Sequence, residues 1–382
     1  MKRFSAALAL LLPLMIVAGS VTPRGLTASP ELNTDPATAG QWAGPFDWPL
    51  ISVHSVVMPT GRTLLFSYDD STQVWDPVSN GFVSSEALTR DLFCGGQSLM
   101  PDGRVLVTGG TVRGLPPGLP KGLRDTHIFD PFTESWERVG DMAQGRWYPT
   151  NLTGPDGRTY VYSGLDDTGI VTWNVEVYES GVGWSQIGSI FALPLYPNIH
   201  LLSTGLAYYS GPTRHTSYIT LVPPGMIADQ TSNYGLRNGG VNILLPPGPD
   251  RIMILGGTRD SVPTATVEII DLTVDSPSWQ YTTPMNFARE DANAVILPDA
   301  TVFVIGGHEF RPVEGQAPES TAVFQPEIYD PETATWSLMA EMAIPRVYHS
   351  TAVLLPDGRI LAGGTDGYYF GGDLFTSISL RR

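Results

Sequence analysis

The chain has 382 residues and a formal net charge of −16. The length is enough to bury a large core, in one domain if the fold is an all-β barrel or propeller. The charge argues against nucleic acid and anionic membrane surfaces as partners, and says little about a neutral small substrate.

In chain order, "MKRFSAALALLLPLMIVAGS" carries a basic start at Lys2-Arg3, an apolar run from Ala6 to Val17, and small residues at Ala18 and Ser20. This predicts a secretory signal over residues 1–20, because the run is shorter than the roughly 20 apolar residues a spanning helix needs. The mature protein is then expected to be secreted, with no membrane partner. Residues 21–40 read as a polar, Pro/Thr-rich linker, and "QWAGPFDWPL", Gln41 to Leu50, as an entering strand able to close a ring against the last repeat.

Seven segments then superimpose, beginning at Ser52, Cys94, Tyr148, Tyr196, Gly239, Asp291 and His349. Each is an apolar strand, a Pro/Asp/Gly turn and a second apolar strand, usually ending on Gly-Gly; "HSTAVLLPDGRILAGG" is typical. Between them recurs a turn followed by an aromatic, as in "VWDPVSNGF", "IFDPFTESW" and "IYDPETATW". Two hairpins per unit, at about 40 to 57 residues per unit, predict four-stranded blades of kelch type. The expected fold is all-β, a seven-bladed kelch-type β-propeller over residues 41–382 with a truncated last blade. Convincing helical periodicity is lacking, which excludes βαβ architectures.

The inner strands of a propeller converge on a central channel, so equivalent positions on different blades meet in space. Counting seven residues back from the turn proline gives Cys94, Tyr148, Asp291 and His349, and alignment on Gly205 adds Tyr196. Tyr348 adjoins His349. A thiol, phenols and an imidazole at one channel mouth suit copper(II), which favours nitrogen and anionic oxygen. Aromatics that merely plug the channel are the alternative on spacing alone. Cys94 is the single cysteine; in an exported chain such a thiol is buried and inert, paired between chains, or chemically used.

With those residues in view, the chain resembles the galactose oxidase and glyoxal oxidase family of copper radical oxidases. "DLFCGGQSLMPDGRVLVTGG" is similar to the segment supplying the family's modified cysteine, "GRWYPTNLTGPDGR" to that of its cross-linked tyrosine, and "PRVYHSTAVLLPDGR" to that of its axial tyrosine and adjacent histidine. The similarity runs from about Gln41 to Gly364. It implies a Cys94–Tyr148 thioether-linked tyrosyl radical, with Tyr148, Tyr348 and His349 as copper ligands and Tyr348 as general base. The implied reaction oxidises a primary alcohol, an aldehyde or a carbohydrate alcohol and reduces O2 to hydrogen peroxide. Copper supplies one electron of redox capacity and the modified phenol the other.

The family adds a β-sandwich whose loop brings a second histidine ligand into the channel, whereas the last histidine here is His349. The expectation is therefore an oxidase impaired by that loss, or one completed from elsewhere. His54 lies on the same strand face as the ring of site positions and is the first candidate substitute, with His200 behind it; His127, His215 and His308 read as surface residues. Trp147, next to Tyr148 on a strand, should face away from it. Arg237 is a weak candidate for substrate contact. The competing function is a non-catalytic propeller that binds carbohydrate or protein through its loops.

Overall fold

The computed structural model describes residues 35–68, 71–84, 88, 90–112, 120–191, 193–310, 320–365 and 372–376. The expected secretory signal and most of the linker lie outside them. Among the described residues no helix is long and apolar enough to cross a membrane. The one-turn helix Pro36–Ala39 is capped by Asp35, whose carboxylate accepts from the Ala37 amide at 2.9 Å.

Six four-stranded antiparallel sheets are each built from one continuous run of chain, with their innermost strands at His54–Val57, Gly96–Leu99, Thr150–Thr153, Asn198–Leu201, Val241–Leu244 and Glu290–Ile296. We call these the first to sixth blades. The remaining four-stranded sheet is composite: Ser350–Leu354, Ile360–Gly364 and Gly372–Thr376 are completed on the outside by Gln41–Phe46. The expected seven-bladed propeller with a truncated last blade is thereby corrected to six blades of one continuous run each and one composite sheet, on whose outer side the N-terminal strand pairs. Among the described residues the run after Gly364 adds the strand Gly372–Thr376, and the fourth strand is Gln41–Phe46, paired antiparallel on its outer side. Trp42 secures the closure by donating its indole N–H to the Ala340 carbonyl at 2.8 Å.

Burial explains why the second strand of each hairpin reads as an unbroken apolar run. Thr63–Phe66, Val105–Thr108 and Thr159–Tyr162 are buried at every position, because neighbouring blades cover both faces. Leu64, Phe66 and Val74 of the first blade thus pack with Val105, Val107 and Phe129 of the second. Each such side chain contributes roughly 1.5–3 kcal/mol on burial.

The Gly-Gly ends have a steric cause. A Cβ on Gly109 would lie 2.1 Å from the carbonyl oxygen of Arg146, where the chain leaves the second blade's outer strand, and one on Gly306 would lie 2.0 Å from that of Arg346. Behind that contact the arginine side chain turns into the blade that follows. Arg146, Arg237 and Arg289 are almost fully buried and pair with Glu176 at 2.7 Å, Glu268 at 2.9 Å and Glu327 at 3.0 Å. Their guanidinium groups also donate to strand-end carbonyls, at Ser163, Gly256 and Gly306. These pairs fix the chain just before it reaches the channel rim.

Candidate active site

At the rim the backbone takes a form that a strand pattern does not predict. Cys94, Tyr148, Tyr196, Asp291 and His349 all have φ between 45° and 63°, the left-handed region, as does Gly239 at 60°. Non-glycine residues are uncommon there. A belt of hydrogen bonds supports the turn: the Tyr148 amide donates to the Cys94 carbonyl at 2.9 Å, Tyr196 to Tyr148 at 2.9 Å, and Asp291 to Gly239 at 2.8 Å. The second, third, fourth and sixth blades and the composite sheet therefore each present one side chain out of register with the strand.

Cys94, Tyr148, Tyr196, Tyr348, His349 and His54 line a single cavity of about 370 Å³. A larger hollow, of about 670 Å³, opens among hairpin turns at Arg62, Asp76, Phe132 and Glu134, and contains none of these groups. Size does not mark the site; its chemistry does.

The Cys94 thiol is buried and engages the Tyr148 hydroxyl, and burial pushes its pKa up to about 12. Burial, and then Cys94, raise the Tyr148 phenol far above its ordinary value. Its hydroxyl makes a very short contact with the Tyr348 hydroxyl. Both acidic groups are thus held protonated while no cation is near them. Tyr348 is the more open of the two phenols, 37 % exposed. His349 shares a hydrogen bond between Nδ1 and the Tyr68 hydroxyl at 2.7 Å, and Phe93 meets its ring edge-on at 5.1 Å. Holding one imidazole nitrogen in a hydrogen bond orients the other for ligation.

His54 joins the cavity wall. Its Nε2 accepts from the Cys94 amide at 3.2 Å, its ring stacks on Phe66 at 4.4 Å, and burial with His349 nearby lowers its pKa to about 3. It is neutral at ordinary pH, and its Nε2 is engaged in fixing the Cys94 backbone. His200 stays outside this cavity, bonded to Ser210 at 3.1 Å.

Several expectations change. Trp147 does not face away from Tyr148: the ring centroids lie 3.8 Å apart, edge to face, because the left-handed turn at Tyr148 breaks strand alternation. Tyr196 meets the Tyr148 ring at 4.4 Å, also edge-on. Arg237 lies inside the fifth blade, 2 % exposed and bound to Glu268 and to the Gly256 and Thr266 carbonyls, away from the cavity. Asp291 is on the rim but does not line the cavity. His127 and His308 are buried rather than superficial, at 4 % and 2 % exposure. His308 groups with Glu290 and Asp291, their ligand atoms all within 4.8 Å of one another, an arrangement able to hold a metal ion. Sequence reading passed over Tyr68, Phe93 and this cluster; only the cluster left a trace, a histidine directly after Gly306-Gly307.

The phenol, thiol and imidazole set fits copper. A dication at this rim supplies the positive charge that ionised, buried phenols lack, and the donors are imidazole nitrogen and phenol oxygen.

A family model described as "Glyoxal oxidase N-terminus" matches residues 246–381. Galactose oxidase from Gibberella zeae is 29 % identical over 85 % of this chain and 52 % of its own length. The aldehyde oxidase GLOX from Vitis pseudoreticulata is 28 % identical over 73 % of this chain and 57 % of its own. The chain spans about half the length of the curated relatives it matches. A fungal alcohol oxidase solved in complex with copper superimposes with a TM-score of 0.72 at 22 % identity, over 89 % of this chain and 76 % of that one, a likeness of fold.

Proposed function

We propose that the chain is a member of the galactose oxidase and glyoxal oxidase family of copper radical oxidases, to which it is similar, and that it oxidises a primary alcohol or aldehyde with O2, yielding hydrogen peroxide. The observation that carries this reading is the convergence of Cys94, Tyr148, Tyr348 and His349 on one cavity from three separate parts of the chain. Packing alone has no need of a thiol against a phenol whose hydroxyl meets a second phenol.

Tyr148, Tyr348 and His349 would hold the copper, which supplies one electron of redox capacity beside a thioether-modified Tyr148. Tyr348, the more exposed phenol, is placed to take the proton of a substrate hydroxyl. Tyr68 fixes the His349 ring, and His54 fixes the Cys94 backbone. Trp147 and Tyr196 cover the Tyr148 ring with their edges and restrict access of water to it. The names of the relatives span a sugar, an aldehyde and an alcohol, so the substrate belongs to that class. The signal-like first 20 residues support an extracellular place of action.

Loading the full chain with copper in air, followed by intact mass and peptide mapping, tests the reading. The expected result is loss of two hydrogen atoms and a reductant-stable link between the Cys94 and Tyr148 peptides. A Cys94 that still alkylates fully after copper loading would instead favour a binding propeller without oxidase chemistry.

A further inference from the structure

We propose that Glu290, Asp291 and His308 form a second cation site, for a divalent transition metal such as zinc, on the rim of the sixth blade and separate from the phenol and thiol cavity. None of the three lines that cavity.

The repeat shows what is unusual about them. Glu290 and His308 are opposed in register at the rim end of the first two strands. The corresponding pair is Trp147 with Leu165 in the third blade and Asn238 with Thr258 in the fifth. Those pairs close a blade without ionisable groups, so closing the sixth does not require a carboxylate and an imidazole. Asp291, projected by its left-handed backbone, adds the third donor.

The spacing fits a shared ion better than direct bonding. His308 Nε2 lies 3.6 Å from Glu290 Oε2 and 3.9 Å from Asp291 Oδ2. Both separations exceed a hydrogen bond. Donors bound to one zinc at about 2.1 Å stand roughly 3.4 to 4 Å apart, depending on the angle between them. His308 is 2 % exposed, and neither ring nitrogen has a hydrogen-bond partner. A buried polar group left so carries a penalty of about 1–3 kcal/mol, which ligation removes.

Charge and space agree. Two carboxylates beside an imidazole bring together the anionic oxygen and the nitrogen that a dication takes up. On the adjoining blade, Gly239 leaves room for the carboxylates: a Cβ there would come within 2.5 Å of Asp291 Oδ1 and 2.8 Å of the Glu290 side chain. One imidazole and two carboxylates form a mixed nitrogen and oxygen donor set suited to zinc or manganese.

Zinc binding to the full chain, measured by equilibrium dialysis and metal analysis after the copper site is filled, tests the proposal. One zinc per chain is expected, with binding at least tenfold weaker in His308→Gln and in the near-isosteric Glu290→Gln, and unchanged in His215→Gln, at an exposed histidine outside both sites. Circular dichroism establishes that each variant is folded, and Glu290→Gln serves if His308→Gln is not. No zinc retained by the wild type, or equal retention in folded Glu290→Gln, would overturn the site and leave a buried histidine and carboxylate cluster. Because zinc is counted independently of oxidase chemistry, that result leaves the copper reading untouched.

Discussion

The rim of the second to fourth blades and the rim of the fifth and sixth are built alike and equipped differently. Both use the left-handed turn, and the amide-to-carbonyl belt that joins Cys94, Tyr148 and Tyr196 also joins Gly239 to Asp291. Both sit above buried arginine and glutamate pairs, Arg146 with Glu176 on one side and Arg289 with Glu327 on the other. One side carries a thiol and phenols, the other a hydrogen atom and a carboxylate. The scaffold fixes where a rim side chain points; the residue type alone decides what chemistry appears there.

That separation can be broken hardest below the rim. Glu327→Ala and Glu176→Ala should each cost about 3–5 kcal/mol in denaturant unfolding, since each strands a buried guanidinium. Equal losses would mark the pairs as scaffold, whereas a loss confined to the third blade would tie them to its chemistry. Next comes the inter-blade contact: Gly109→Ala should destabilise by at least about 2 kcal/mol, from a left-handed backbone and a clash with the Arg146 carbonyl.

A pH profile gives a somewhat smaller effect away from the rim. Burial lowers the His200 pKa to about 4. The unfolded chain binds its proton first, so stability is complete above pH 6.5 and falls as pH drops toward 4. His200→Gln should flatten that window by on the order of 2 kcal/mol, allowing for partial exposure. The smallest change in stability, under about 1 kcal/mol, is expected for Tyr148→Phe, which keeps the ring and its edge contacts. It should nevertheless abolish the link to Cys94 in the peptide map, and that contrast sharpens the distinction between frame and equipment.

Much of this was legible in the sequence because repetition exposes equivalent positions. The hairpin turns and apolar runs mark the blades; counting back from turn prolines found Cys94, Tyr148, Asp291 and His349 of the left-handed rim residues, and alignment on Gly205 found Tyr196. What failed did so through backbone geometry and long-range partners. Strand alternation misplaced Trp147, because one left-handed residue resets the pattern. Arg237 read as a weak candidate for substrate contact because its partner, Glu268, lies on a distant strand of the same blade. Tyr68 gives no local sign that its hydroxyl will reach His349, 281 positions away.

The composite sheet also sets the order of events in making the protein. Gln41–Phe46 can pair only once Gly372–Thr376 is available, and Trp42 reaches across 298 positions to Ala340. Contacts of such separation form late, after the local hairpins. During synthesis, Cys94 and Tyr148 emerge well before Tyr348 and His349. The ring therefore acts as a timing device: early blades can fold vectorially, but the rim that gathers Cys94, Tyr148, Tyr348 and His349 is complete only when the last sheet has formed.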